Sequence, residues 1–267
     1  ALCELQGYVY AAWTGMAEVY TALGHPARAA ELSAKAAALY NRFNDVFWNE
    51  DDGFYAFALD GDKRPVRTVA SNVGHCLWTG IIRPDRARRV VERMMAPDMF
   101  SGWGIRTLSA KHPAFNPISY HNGSVWPHDN GLIAQGFARY GFHEEALRVA
   151  RGIQEAAAHF AEHQVPELFS GLPRNGGDFP VQCIGANVPQ AWAAGSAFSF
   201  LQATLGLEPD APRGILRLRP RLPDWLPHLT LHNLQLGGQV LDLHIRHQHD
   251  SAMVEVLRGD PSSVVVS

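Results

Sequence analysis

The chain has 267 residues, of which 46% are apolar and 18% charged, and its 23 basic and 26 acidic side chains leave a net charge of −3. A chain of this length buries roughly three-quarters of the surface its unfolded form exposes, so it needs neither disulfide nor metal to hold a core. The near-neutral balance argues against a nucleic-acid partner, and no run approaches the ~20 apolar residues of a membrane-spanning helix, which argues against a membrane protein. The three cysteines, Cys3, Cys76 and Cys183, are an odd number without CxxC spacing. They predict no disulfide framework, no zinc site, and a reducing, cytoplasmic compartment.

Ala1-Leu2-Cys3-Glu4 runs straight into an apolar-periodic segment with no cap and no polar lead-in, as if the chain began inside a helix. The expectation is a piece of a longer polypeptide, with its upstream part as partner. Helical periodicity then predicts Leu5 to Leu23, a break at Gly24-His25-Pro26, and a second helix from Ala27 to Trp48 folding back as a hairpin. Between Gly53 and Val66, Phe54-Tyr55-Ala56-Phe57 and a turn at Asp60-Gly61 predict a β-hairpin. Ser71 to Ile82 and Asp85 to Met95 form the next helical pair. Within it Arg83, Arg86, Arg88, Arg89 and Arg93 have helical spacing and read as a solvated face. Ser124 to Tyr140 and His143 to Glu162 make a third pair, and Asn187 to Leu205 a last, unpaired helix.

The first helix of each pair is rich in Gly, Ala, Trp and Leu, and the second is charged and amphipathic, a contrast that implies inner and outer layers. The fold class expected is all-α, a toroid of helical hairpins that is incomplete at three and a half pairs. Long aromatic loops, 100–123 and 166–186, are expected to line one end of it. After Leu207 the prolines multiply, and Leu241, Leu243 and Ile245 alternate with Asp242, His244 and Arg246. Residues 1–207 are thus assigned to the helical array and 208–267 to a β-strand appendix.

Glu167 is the first candidate for chemistry, a carboxyl set between Pro166, Leu168 and Phe169 where a helix gives way to a loop. The stretch from Ser119 to Asn130 packs Tyr120, His121, Asn122, Trp126, His128 and Asp129 at the mouth of an inner helix. Neutral hydrogen-bonding groups among aromatic rings suit a sugar, whose hydroxyls need donors and acceptors while its C–H faces lie on rings. Trp103 and Arg106, among the glycines of Ser101-Gly102-Trp103-Gly104-Ile105-Arg106, read the same way. His75, His121 and His128 lack a metal-ligand spacing, and no Walker loop, GxSxG or GxGxxG occurs. Neither metal nor organic cofactor is expected.

Taken in order, Leu2-Cys3-Glu4-Leu5-Gln6-Gly7-Tyr8, Ser101-Gly102-Trp103-Gly104-Ile105-Arg106, Tyr120-His121-Asn122-Gly123-Ser124-Val125-Trp126-Pro127-His128-Asp129-Asn130, Pro166-Glu167-Leu168-Phe169 and Pro189-Gln190-Ala191-Trp192 resemble the bacterial amylo-α-1,6-glucosidase or glycogen-debranching-like family. The resemblance implies the six-hairpin (α/α) barrel of inverting glycosidases and an oligosaccharide or α-glucoside substrate. It makes Glu167 the general base that activates water, adds Gln190 and Trp192 to the sugar-binding residues, and places the general acid on a loop before Ala1. Asp129 falls to substrate hydrogen bonding or helix-mouth structure rather than acid catalysis. Two rival readings remain: a sugar epimerase on a related barrel, with His75 and His128 as acid and base, and a non-catalytic carbohydrate-binding or structural fragment.

Overall fold

The structure, a computed structural model, describes residues 1–176, 179–248 and 251–267. These fall into two compact units, Ala1–Ala197 and Phe198–Ser267.

The first unit is built from helical hairpins. Helices α1 (Cys3–Ala22) and α2 (Pro26–Val46) form one pair, α3 (Asn72–Thr79) and α4 (Pro84–Met94) the second, and α5 (Pro127–Arg139) and α6 (His143–Ala157) the third. Three of these helices open on a proline, whose fixed φ suits the first turn and whose missing N–H costs nothing there. The expected start at Ser124 therefore moves to Pro127, because residues 124–126 are held extended by their neighbours. Likewise α6 stops at Ala157, and only a single 3-10 turn, Ala161–His163, follows before the loop.

Helix α1 packs on α2 and α3, α3 on α5, and α5 on α6, so α1, α3 and α5 form the inner layer and α2, α4 and α6 the outer. The small residues of the inner helices serve close approach: a Cβ on Gly136 would lie 2.7 Å from the backbone nitrogen of Trp78. Val73, Cys76, Leu77, Ile133 and Phe137 are fully buried between these helices. All three cysteines are free and buried. The arginines of α4 are not simply solvated. Arg83 pairs with Asp85, Arg89 with Glu50 and Arg93 with Asp98, while Arg86 caps the Asn44 carbonyl and lies over Trp48.

Helix α1 carries a second apolar stripe besides the buried one. Leu5, Val9, Ala12, Met16, Val19 and Leu23 follow one another at intervals of four and three residues and are all exposed. A helix apolar on two opposite faces has the pattern of one enclosed on both sides.

Between the first two pairs lie two short antiparallel ladders, β1 (Trp48–Asn49) with β2 (Phe54–Tyr55) and β3 (Ala58–Leu59) with β4 (Pro65–Val66). The second turns through Asp60-Gly61, as the sequence predicts. Helix α7 (Ala191–Leu205) crosses the boundary between the units, which therefore falls earlier than the expected 207/208. The cause is Leu205, which with Leu222 and Ile245 forms a core cluster of the second unit.

That unit holds β5 (Glu208–Asp210), β6 (Ile215–Leu218), β7 (His228–Leu236), β8 (Gln239–Gln248), β9 (Ser251–Arg258) and β10 (Val264–Val266). They make one sheet in the order β10-β6-β5 and a β7-β8-β9 meander. Leu241, Leu243 and Ile245 of β8 are buried in alternation, and Leu216, Leu218 and Leu236 pack with the first two. The period of two thus places this core correctly.

Candidate active site

Four separate loop segments are stitched into one irregular ladder by single antiparallel bridges: Arg106 to Val125, Val125 to Phe169, and Phe169 to Gln182. Val125 and Phe169 exchange both backbone hydrogen bonds, at 2.8 and 3.0 Å. This ladder sets Glu167, two residues before Phe169, beside Trp126, one residue after Val125. Gly171 is obligatory at the crossing, since a Cβ there would sit 1.7 Å from the carbonyl oxygen of Gly123.

Around that junction the rings form a cluster. His128 stacks on Trp192 with centroids 4.1 Å apart, His121 stacks on Trp126 at 5.7 Å, and Tyr120 and Trp192 each meet Trp126 edge-on at 5.1 and 5.9 Å. Tyr120 and Trp192 remain 36% and 48% exposed, so the cluster has an open rim.

Glu167 is only 4% exposed and is surrounded by donors. The Asn187 amide Nδ2 donates to Oε2 at 2.9 Å, the Asn187 backbone N–H at 3.3 Å, and the Gln190 Nε2 to Oε1 at 3.4 Å. The Tyr120 hydroxyl is the strongest of the influences that hold its carboxyl below the ordinary range; burial opposes the shift, and Asn187 and Gln190 add to it. A carboxyl so held is ionised at neutral pH. It can accept a proton from water and is a poor acid.

A cavity of about 530 Å³ opens beside the rings. His121, Asn122, Trp126, His128, Asp129 and Trp192 line it, together with Glu4, Ser71, Asn72 and His75. Asp129 and His128 sit in the first turn of α5, where the helix dipole favours the carboxylate. His75 Nε2 is hydrogen-bonded to Asp129 Oδ1 at 2.5 Å and its Nδ1 to the Tyr8 hydroxyl; burial works to lower the His75 pKa, but the bond to Asp129 and the charges of Asp129 and Glu4 together raise it above the ordinary imidazole value. Burial, the largest single influence, would raise the Asp129 pKa, but the bond and charge of His75 together with Ser71 and His128 outweigh it and hold the carboxyl low. Burial pushes the His128 imidazole down, leaving it neutral.

Of the residues singled out from sequence, Glu167, Tyr120, His121, Asn122, Trp126, His128, Asp129, Gln190 and Trp192 come together, although Glu167, Tyr120 and Gln190 join through the ring cluster rather than the cavity lining. Trp103 and Arg106 do not. Trp103 is buried against His159 and under the Arg174 guanidinium, 4.1 Å from its ring centroid. Arg106 spends its donors on the carbonyls of Gly171 and Pro97, at 2.6 and 2.9 Å, and so braces the ladder instead of facing a ligand. Of the two histidines named for the epimerase reading, His75 is engaged at both nitrogens by Tyr8 and Asp129, and His128 stacks on Trp192. Sequence reasoning missed Glu4 and Asn72 as cavity residues. An isolated acid in an otherwise apolar helix start was the one available signal.

A sequence model of the mannosylglycerate hydrolase MGH1-like glycoside hydrolase domain matches residues 2–179. The chain belongs to this family. The match covers Glu167 and four of the five rings, leaving out Asn187, Gln190 and Trp192, and takes in every cavity residue but Trp192. Mannosylglycerate hydrolase MGH1 of Selaginella moellendorffii is 26% identical over 161 residues, 60% of this chain and 29% of that protein. Among solved structures, a sialidase superposes with a TM-score of 0.77 at 16% identity, covering 96% of this chain and 25% of the other. The GH63 mannosylglycerate hydrolase of Thermus thermophilus in complex with Tris gives 0.57 at 18%, covering 74% and 44%.

The likeness establishes the fold as part of an (α/α)6 toroid with small sheets. It also corrects the resemblance read from sequence, since the MGH1-like family is a different branch of the six-hairpin superfamily from the amylo-α-1,6-glucosidases. The motifs behind that resemblance build the Glu167 loop and the aromatic cluster beside it. The chain spans under a third of the length of the curated MGH1 relative.

Proposed function

We propose that this chain carries the general base and part of the sugar cup of an inverting glycoside hydrolase acting on an α-glycosidic bond. Glu167 is the observation that carries the reading: an ionised carboxylate, fixed by Tyr120, Asn187 and Gln190, beside a five-ring aromatic cluster in a glycoside hydrolase family domain. The general acid stays where the motif resemblance puts it, before Ala1, and Asp129, held ionised with the help of His75, is unsuited to protonate a leaving group. The exposed stripe on α1 is the surface against which further hairpins of the toroid pack. The α-glucosidic bond, with α-1,6 debranching as its narrowest form, rests on the motif resemblance alone, and mannosylglycerate, the substrate that names the relatives, is the competing choice. The buried free thiols support a cytoplasmic location.

Product analysis tests this reading. The full chain with its upstream part, given maltose, isomaltose and mannosylglycerate, is expected to release a free sugar from at least one of them by hydrolysis. A product of unchanged molecular mass would instead show epimerisation and overturn the proposal.

A further inference from the structure

One polar side chain from each of the helices α1, α3 and α5 is linked to the next across the inner layer. The Tyr8 hydroxyl of α1 is hydrogen-bonded to Nδ1 of His75 on α3, and His75 Nε2 to Oδ1 of Asp129 on α5 at 2.5 Å. His75 and Asp129 are 7% and 6% exposed, on helices whose Val73, Cys76, Leu77 and Ile133 are fully buried. A buried acid–imidazole pair adds little stability over apolar side chains of the same volume, so folding alone does not account for it. Its position does. His75 and Asp129 both line the cavity, where Asp129 Oδ2 is buried and makes no hydrogen bond, although the Ser71 hydroxyl stands close enough to help hold the carboxyl ionised. A buried carboxylate oxygen short of donors costs free energy, and a ligand hydroxyl that donates to it recovers that cost.

We propose that His75, backed by Tyr8, is a positioning residue that fixes Asp129 so that its Oδ2 accepts a hydroxyl of the bound sugar. The chain of bonds fits this role at both ends. Because His75 takes Oδ1, the carboxyl cannot turn without breaking that bond, and Oδ2 is left for the ligand. Because Tyr8 takes Nδ1, the imidazole is held in one orientation, as a histidine ring is whenever its second nitrogen has a fixed partner. The role rests on reading the cavity as a sugar site, and it holds for neutral and anionic glycosides alike, since both bring hydroxyls.

The experiment uses the full chain with its upstream part, carrying Glu167→Gln so that the probe is not consumed. Binding of maltose, isomaltose and mannosylglycerate is measured by titration calorimetry. His75→Gln places its amide nitrogen where Nε2 stands and keeps the bond to Asp129, whereas His75→Asn reaches only as far as Nδ1 and loses it. For the best-bound probe, His75→Gln is expected to stay within about threefold of the parent and His75→Asn to bind about tenfold or more weakly, the weight of a hydrogen bond to a charged group. Adding Asp129→Asn to His75→Asn should cost little more, because the two residues act as one unit. Tyr8→Phe, which removes a single hydroxyl at the far end of the chain, should weaken binding roughly threefold, and it decides the matter if His75→Asn fails to fold. Equal affinities in His75→Gln and His75→Asn, or unchanged binding in Tyr8→Phe, would overturn the proposal and leave His75 a packing residue. No binding of any probe by the parent would overturn the reading of the cavity as a sugar site, and this role with it. Retained turnover in Glu167→Gln would strike the general base alone.

Discussion

Glu167→Gln in the full chain is expected to lower kcat by ~10²–10⁴-fold, the contribution general-base catalysis ordinarily makes, while sugar binding survives. The amide keeps the volume of the carboxyl and can still accept from Asn187 or Tyr120. It cannot accept on both sides, because one oxygen becomes an NH2 group facing a donor, so a loss of stability of ~1 kcal/mol accompanies the change. Steady-state kinetics and a melting curve on the same preparation separate the two effects. The pH profile supplies the sign. Since its surroundings lower the Glu167 pKa, the wild-type rate should persist as pH falls through the usual carboxylate range and decline only below it. Undiminished turnover in the variant would remove Glu167 from the mechanism.

The second large effect lies one helical turn from the site. Asn130 is fully buried in α5, accepts from the Ile105 N–H at 2.6 Å, and donates to the carbonyls of Ile105 and Trp126 at 3.0 and 2.9 Å. One amide thus pins the loop carrying Arg106 to the helix carrying His128 and Asp129. Asn130→Ala strands both backbone groups of Ile105 in the interior, each at a cost of ~1–3 kcal/mol, so a loss of about 3 kcal/mol or more is expected. For a chain of this size that corresponds to a fall in Tm on the order of 10 °C. Thermal unfolding measures it, and a shift of one or two degrees would mean that the loop is held by other contacts.

How much of this was legible in the sequence follows from which forces are local. The helical pairs, their inner and outer character and the alternation of β8 declare themselves through periodicity and proline, and the structure bears them out at nearly the expected places. The ring cluster was legible because four of its five rings, Tyr120, His121, Trp126 and His128, lie within one short stretch that must converge wherever the helix mouth goes. The cavity was not. Glu4, His75 and Asp129 are far apart in sequence, and only the packing of α1 on α3 and α3 on α5 brings them to one wall. Trp103 and Arg106 misled for a related reason: their composition suits a sugar, but two stranded carbonyls and a nearby arginine claimed them first. Branch and substrate were illegible because the recognisable motifs are contiguous stretches, whereas cavity residues such as Glu4 and Asn72 stand isolated in the sequence and meet only in the fold.

The central claim, a base that activates water on the far side of the sugar from the leaving group, is tested most directly by the anomeric configuration of the first product. Proton NMR of the full chain acting on an α-glycoside, recorded before mutarotation, should show the β-anomer accumulating first, as a single displacement by Glu167-activated water requires. Initial appearance of the α-anomer would mean a double displacement, with a carboxylate bonded to the sugar, and would contradict the account.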